Sequence, residues 1–452
     1  MVFYLRLTLI LLLLIPSHSF AEDIGGESLR LTLSQAVTLA LDNNSDLALS
    51  RNRVQSAKVS IETANGRFLP SLQGSISSNQ NFRQQNSPGE DNSYRNANLQ
   101  LATSINLFNG FSDQATLDAS RQQHQEANAN LRRQQQFAVF TVASDYTDIL
   151  INKELVQVAL QNLKSQQDLE QQIEAFYSAG NRSITDYYQQ RAATAQAEFS
   201  LADAERNLQV SKLRILQMLG HTQPVSIEVL PIDSSGLDIT PEDLNPNLAI
   251  EQALITRPDL IALQRQIEAA QLQTKAARAG YFPSLDLQAT TGSNYNSASS
   301  GNFSGQFDDN RAATIGLTLT VPIFDRYQTR TNVAQAKIAE ADATTTKTKL
   351  QQQIGLEVGQ AIADYQRAKL QLTSTIRQLD YARQALESSE ARYQVGAANW
   401  VELSTARANF IQAQGNEVYA RYGVLLQGLN IGYVRGDIEI LIHTLNTQES
   451  SS

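Results

Sequence analysis

The side chains able to do covalent or metal chemistry are few and scattered along the 452 residues. There is no cysteine, which excludes a disulfide scaffold, a thiolate metal site, a Cys nucleophile and lipidation on an N-terminal Cys. His18, His124, His221 and His443 lie far apart, with no pair at ligand spacing, so no metal centre is expected. No His-centred triad, phosphate-binding loop or dinucleotide fingerprint occurs. The chain therefore reads as a non-enzyme that needs no cofactor. Its formal charge of −9 gives no footprint for nucleic acid.

What recurs by type and spacing is a set of structural markers. Ala40-Leu41 and Asp46-Leu47 return 213 residues later as Ala253-Leu254 and Asp259-Leu260. Phe68-Leu69-Pro70-Ser71-Leu72 returns at the same offset as Tyr281-Phe282-Pro283-Ser284-Leu285. Downstream the offset is 216: Leu107-Phe108-Asn109 matches Ile323-Phe324-Asp325, and Tyr177-x-x-Gly180 matches Tyr393-x-x-Gly396. Arg191-Ala192 with Arg407-Ala408, Gln196 with Gln412, and Gly220 with Gly436 continue it. A constant offset over so many positions means an internal duplication.

The markers punctuate one element order, used twice. A helix of about 30 residues (roughly 32–66 and 247–280) ends before a proline. Two alternating strands follow. Leu99, Leu101, Thr103, Ile105 and Leu107 oppose Asn98, Gln100, Ala102, Ser104 and Asn106; Ala313, Ile315, Leu317, Leu319, Val321 and Ile323 repeat the pattern. The strands before them are weaker, at Leu72, Gly74, Ile76 and at Leu285, Leu287, Ala289, Thr291. Arg83–Ser93 and Asn296–Asn310 have loop compositions. Then comes a helix of great length, Ser112 to Ser178 and Tyr327 to Gln394. Two runs of about 130 residues, Gly89–Gln223 and Ile323–Ser452, contain no proline to interrupt it. In the second copy Gly355 and Gly359 are its soft spots. A stripe of Phe137, Phe140, Ala143, Tyr146 and Leu150 suits lateral packing. A turn and a return helix complete each copy. Gly428, Gly432 and Gly436, four apart near the end of the second return helix, read as a close helix contact.

The expected organisation is a signal peptide at 1–21, repeat one at 22–220 and a linker or equatorial element at 221–246. Repeat two covers 247–440, with its hairpin at about 281–324 against 68–108 in repeat one, and a polar tail covers 441–452. No later stretch is apolar enough for a membrane helix, so any membrane crossing must use strands. Four strands cannot close a barrel, and open edges do not survive in lipid. Three chains supply twelve strands, enough for a water-filled lumen. The fold class is thus mainly α with a membrane β part: a trimeric β-barrel, four strands per chain, continued by a long α-helical barrel. A structural or adhesive coiled-coil stalk is the competing reading, but it needs no proline-bounded hairpins with lipid-type alternation.

In the order and doubled spacing of these motifs, from about residue 30 to 440, the chain resembles the TolC family of outer-membrane efflux proteins. The Phe/Tyr-x-Pro-Ser-Leu motifs at Phe68 and Tyr281, the strand exits Leu107-Phe108-Asn109-Gly110 and Val321-Pro322-Ile323-Phe324-Asp325, and the Tyr-x-x-Gly turns carry the resemblance. The resemblance implies a homotrimer in outer-membrane lipid, extending into the periplasm. It implies passive export of drugs, small toxins or polypeptides, with an inner-membrane transporter and a periplasmic adaptor as partners. The absence of Cys favours the non-lipidated branch.

The resemblance also implies a gate near the inter-helix turns, lined by acids. The matching positions are Asp186 and Glu402; Thr405 stands where a second acid is common. Arg182, Tyr177 and Tyr393 are candidates for hydrogen bonds that hold the closed state. An equal reading of Asp186 and Glu402 is that they complement the dipoles of the helices they begin. For the tyrosines and Trp400, packing is the simpler role. The turns Gly180-Asn181 and Gly396-Ala397 are the expected adaptor contacts, and they lack the apolar Leu frequent there in this family.

Overall fold

The structure, a computed structural model, describes residues 29–82, 93–221, 223, 225–232 and 244–438. The signal segment, the polar tail, nearly all of the Arg83–Ser93 loop and much of the linker lie outside the described residues.

Repeat one begins with strand β1 (Leu29–Leu31), helix α1 (Leu33–Asn43) and helix α2 (Ser45–Gly66). Strands β2 (Ser71–Asn81) and β3 (Tyr94–Phe108) lead into helix α3 (Ser112–Ser178) and the return helix α4 (Ile184–Met218). Strand β4 (Ile227–Val229) pairs in parallel with β1, so the linker contributes a strand. Repeat two runs through α5 (Pro246–Thr256), α6 (Pro258–Arg278), β5 (Ser284–Asn296), α7 (Phe303–Asp309) and β6 (Ala312–Thr320). It ends with α8 (Gln328–Gln394) and α9 (Trp400–Arg435). At 67 residues each, α3 and α8 reach about 100 Å. No helix among the described residues is long and apolar enough to cross a membrane.

Three expectations are corrected. The first helix of each repeat is two helices. Asn44 leaves the helical region (ψ 128°) because its side chain caps α2, accepting from the Asp46 and Leu47 amides. Arg257 does so (ψ 122°) because Pro258 follows it. The loop at Asn296–Asn310 contains helix α7, capped by Asn302 and held by Phe303 and Phe307 packing beside Tyr295. The last strand stops at Thr320, because Pro322 has no N–H for the ladder. The Gly355 and Gly359 positions do not interrupt α8.

The sheet runs β2-β3-β5-β6, antiparallel throughout. Its register places Ile76 opposite Leu99, Leu101 opposite Thr291, Ile105 opposite Leu287, and Leu287 opposite Leu317. The alternating apolar residues inside the ladders thus share one face, and Gln73, Gln100, Ser104, Gln288 and Thr318 share the other; Leu107 falls at a register shift between Asn106 and Phe108. The apolar face is bare: Leu72, Ile76, Ile315, Leu317 and Leu319 are all exposed.

The main core joins α1, α3, α4, α9 and the β1–β4 pair. Tyr146, wholly buried, donates to the Leu31 and Leu230 carbonyls at 2.9 and 2.7 Å. Of the expected stripe, Ala143, Tyr146 and Leu150 are in this core, Phe140 stacks on Tyr433 at 5.1 Å, and Phe137 stays half exposed. The Asp145 carboxyl, half-buried beside this core, is raised to about 6 by burial, with Asp148 adding and Arg214 opposing. A folded value above the unfolded one means stability falls as pH rises from about 4 to 6 and stays lower above it. Asp145→Asn is therefore expected to raise stability at neutral pH by roughly 1–2 kcal/mol, discounted for partial exposure, and to change little near pH 4. Thermal melts at the two pH values check it.

The duplication shows in how each return helix ends. Gly220 (φ 77°) and Gly436 (φ 87°) both turn left-handed after it, against the break between the first two helices of their repeat. A Cβ on Gly220 would lie 2.7 Å from the Asn43 carbonyl oxygen, and one on Gly436 would lie 3.2 Å from Arg257 Cα. Gly436 therefore caps α9 rather than extending the Gly428–Gly432 helix contact. Ala at either position adds about 1–2 kcal/mol of left-handed strain to the clash. Both variants are expected to lower Tm, Gly220→Ala more because its contact with backbone is the shorter, 2.7 against 3.2 Å.

Candidate functional site

The far ends of the two helical hairpins meet. Both long helices stop at a left-handed glycine, Gly180 and Gly396, each at φ 75°. The closing bonds are the same in both: Asn181 N to Phe176 O and Ala397 N to Arg392 O, each 2.8 Å. Ser183 and Asn399 then cap the return helices, accepting from the amides of Asp186 (3.1 Å) and Glu402 (2.9 Å). Both acids thus sit in the first turn of a helix, where a negative charge is favoured.

Their surroundings differ. Glu402 pairs with Arg392, which also donates to the Ala397 carbonyl at 3.1 Å. Asp186 has no cationic partner among the described residues. Thr405 donates to the Val401 carbonyl at 2.8 Å and adds no charge.

The first hairpin docks on the second through named contacts. Arg182 donates to the Tyr393 carbonyl at 2.9 Å, and its guanidinium lies 4.2 Å from the centre of the Tyr393 ring. Tyr393 is 3% exposed, packed with Leu169, Ile173 and Leu403, and its hydroxyl finds no partner among the described residues. Burial pushes that hydroxyl above its ordinary pKa; Arg182 opposes the shift and Asp186 reinforces it. Tyr177 stacks on Tyr187, with centroids 5.6 Å apart and planes 7° from parallel. Trp400 packs at the cluster edge and donates to Gln190 Oε1 at 3.1 Å, while Gln190 bonds back to Gln166 at 2.8 Å. Arg407 crosses from α9 to the Ser165 carbonyl at 3.1 Å and to Glu390 at 2.6 Å.

Asp186, Arg182 and Tyr393 are therefore brought together, whereas Glu402 belongs with Arg392 and Tyr177 with Tyr187. The residues that sequence reasoning missed are Arg392, Gln190 and the bridging role of Arg407. Only Arg407 carried a signal, as the repeat counterpart of Arg191. Among the described residues no cluster of His, Asp or Glu is arranged to hold a metal ion.

The comparisons with known proteins fit this architecture. The sequence profile described as outer membrane efflux protein matches residues 36–221 and 249–430, one match to each repeat. The probable outer membrane lipoprotein SilC of Salmonella typhimurium is 23% identical, over 92% of this chain and 89% of its own. The pyoverdine export outer membrane protein OpmQ of Pseudomonas putida is 25% identical, over 85% of this chain and 81% of its own. Among solved structures, the CusC channel superposes with a TM-score of 0.78 at 20% identity, covering 89% of this chain and 92% of that one, so the fold is shared. With both repeats matched, the chain belongs to the outer membrane efflux protein family.

Proposed function

We propose that the chain forms the outer-membrane exit duct of an export machine. The observation that carries this reading is the sheet β2-β3-β5-β6, greasy on one face, polar on the other and unpaired at both edges among the described residues. In lipid such edges must pair with another copy. Three copies, joined β2 to β6, close twelve strands around a polar lumen in the outer membrane. The polar helices continue that lumen into the periplasm. Leu356, Leu370 and Tyr381 on α8 and Phe199 on α4 are exposed and supply apolar surface for contacts between copies. A duct without a nucleotide-binding motif has no energy source, so an inner-membrane transporter drives export and a periplasmic adaptor joins the two.

The hairpin tips are the natural closure of such a tube. In this reading Asp186 and Glu402 set the charge of the gate, and Arg182, Tyr177 and Tyr393 hold it shut. Gly180, Asn181, Gly396 and Ala397 form the turns presented to the adaptor. The cargo class is drugs, small toxins or secreted polypeptides; the name of the pyoverdine export relative supports small-molecule cargo.

The test is purification from outer membranes, mass measurement of the native assembly and recording in planar bilayers. A trimer that conducts ions is expected. A trimer that never conducts would return the chain to the stalk reading.

A further inference from the structure

Helix α7 lies on the apolar face of the sheet, at the end away from the long helices. Phe307 O accepts from Ser293 Oγ at 2.6 Å, Gln306 Oε1 accepts from the Asn296 amide at 2.9 Å, and Phe303 packs on Tyr295 at 5.0 Å. Gln306 is buried and also donates to the Ser299 and Gly301 carbonyls, each at 3.2 Å, so the helix is fixed in place. Between α7 and the strands is a cavity of about 1050 Å³. Leu99, Leu101, Phe303 and Phe307 form its greasy wall, and Asn302, Asp308 and Arg311 are among its polar lining.

Leu99 and Leu101 belong to the same face as Leu72, Ile76 and Ile315, so the cavity continues the bare apolar band. The edges of the sheet are used by neighbouring copies; its face is left to lipid. Two cations align with this face at its outer end. Arg311 precedes β6 and pairs with Asp308, and Arg95 donates to Gln80 Oε1 at 3.3 Å and has no carboxylate partner among the described residues. Arg311 lines the slot together with Asp308, and Arg95 stands outside it on the same face of the sheet. A greasy slot with these cations and the Asn302 amide toward one end fits a molecule with hydrocarbon at one end and phosphate and hydroxyl groups at the other.

We propose that the cleft under α7 holds an acyl chain of a phosphorylated glycolipid of the outer leaflet, with Arg95 and Arg311 facing its phosphates. The proposal rests on the reading of the sheet as a barrel wall. It distinguishes this part of the wall from the open band, where lipid exchanges freely.

The test uses the full assembly, extracted in mild detergent from a host whose outer leaflet carries such a glycolipid, and read by native mass spectrometry. The wild type and Leu317→Trp, altered on the open band, are expected to retain the glycolipid. Leu101→Trp, which fills the cleft without making it polar, is expected to lose it, and Arg95→Gln with Arg311→Gln to retain less. A wild type that conducts but carries no lipid or only phospholipid, or a Leu101→Trp variant that retains as much, would overturn the proposal. A wild type that does not conduct would overturn the barrel reading beneath it.

Discussion

Arg257→Ala is expected to cost about 3–5 kcal/mol of folding stability, the largest loss from any single side chain in the helical part. The side chain is 3% exposed and sits at the break between α5 and α6, within reach of α8 and α9 and beside Arg133 of α3. It donates to Asp259 and to Glu357, each at 2.6 Å, and to the Val434 carbonyl at 3.3 Å. Arg133 stands 3.6 Å from the same Asp259 and lies over the Tyr433 ring at 4.0 Å. Truncation would leave Asp259 and Glu357, both partly buried, with one strong donor gone, and would strip a donor from the Val434 carbonyl near the end of α9. Arg257→Lys keeps the charge but not the fork that reaches both acids, so an intermediate loss is expected. Adding Asp259→Asn and Glu357→Gln to Arg257→Met should recover part of the loss, because the stranded charges go with it. The pH dependence has a definite sign. Burial alone would raise the Asp259 carboxyl, but the hydrogen bonds and charge of Arg257 outweigh it and hold it below its ordinary value. A depressed carboxylate stabilises the fold above the unfolded pKa of about 3.9, and that stability is lost as pH falls through the folded value. Melts of wild type should weaken below about pH 4, and Arg257→Ala should show less of that acid step.

The contrast between this cluster and the rest of the fold shows what a single sequence can reveal. Strands and long helices were legible because their signals are periodic: the register puts Leu101 beside Thr291 and Leu287 beside Leu317, as strict alternation requires. The duplication doubled each weak motif and located the hairpin tips to the residue. Arg257 gave no such signal. Its repeat counterpart is Asn44, which solves the same problem, a break between two helices, by capping the next helix and donating to the Met218 carbonyl. Two chemistries at equivalent positions cancel in a repeat comparison. Helix α7 was hidden likewise, because Asn, Ser and Gly dominate its surroundings and only Phe303 and Phe307, four apart, mark a helical face. At the tips the positions of Asp186 and Glu402 were readable, but their partners were not. Arg392 is ten residues from Glu402 in sequence and reaches it only because the turn folds the chain back.

That difference in partners makes the proposed gate testable by the sign of the response as well as its size. Asp186 forms no salt bridge among the described residues, so Asp186→Asn is expected to lower cation preference in planar bilayers. Glu402 is already offset by Arg392, so Glu402→Gln uncovers a positive charge and should push selectivity further toward anions. Arg392→Gln frees the acid and should move selectivity the opposite way. If the acids serve only the helix dipoles, Asp186→Asn costs about 0.3–1 kcal/mol of stability and all three variants keep the wild-type selectivity. In the proposed gate, Arg182 would act on closure rather than charge. Its bond to the Tyr393 carbonyl and its stacking on the ring tie the first hairpin to the second. A charged hydrogen bond with a cation–π contact is worth about 2 kcal/mol, so losing it favours the parted tips by a factor of roughly 30 per chain. Arg182→Ala is therefore expected to give the largest rise in open-channel current of any tip variant. Arg182→Lys should give a smaller rise, since a point charge keeps the attraction to the ring but loses the planar fork. Equal, unchanged currents in both would mean that closure depends on contacts between copies and not on this bridge within one chain.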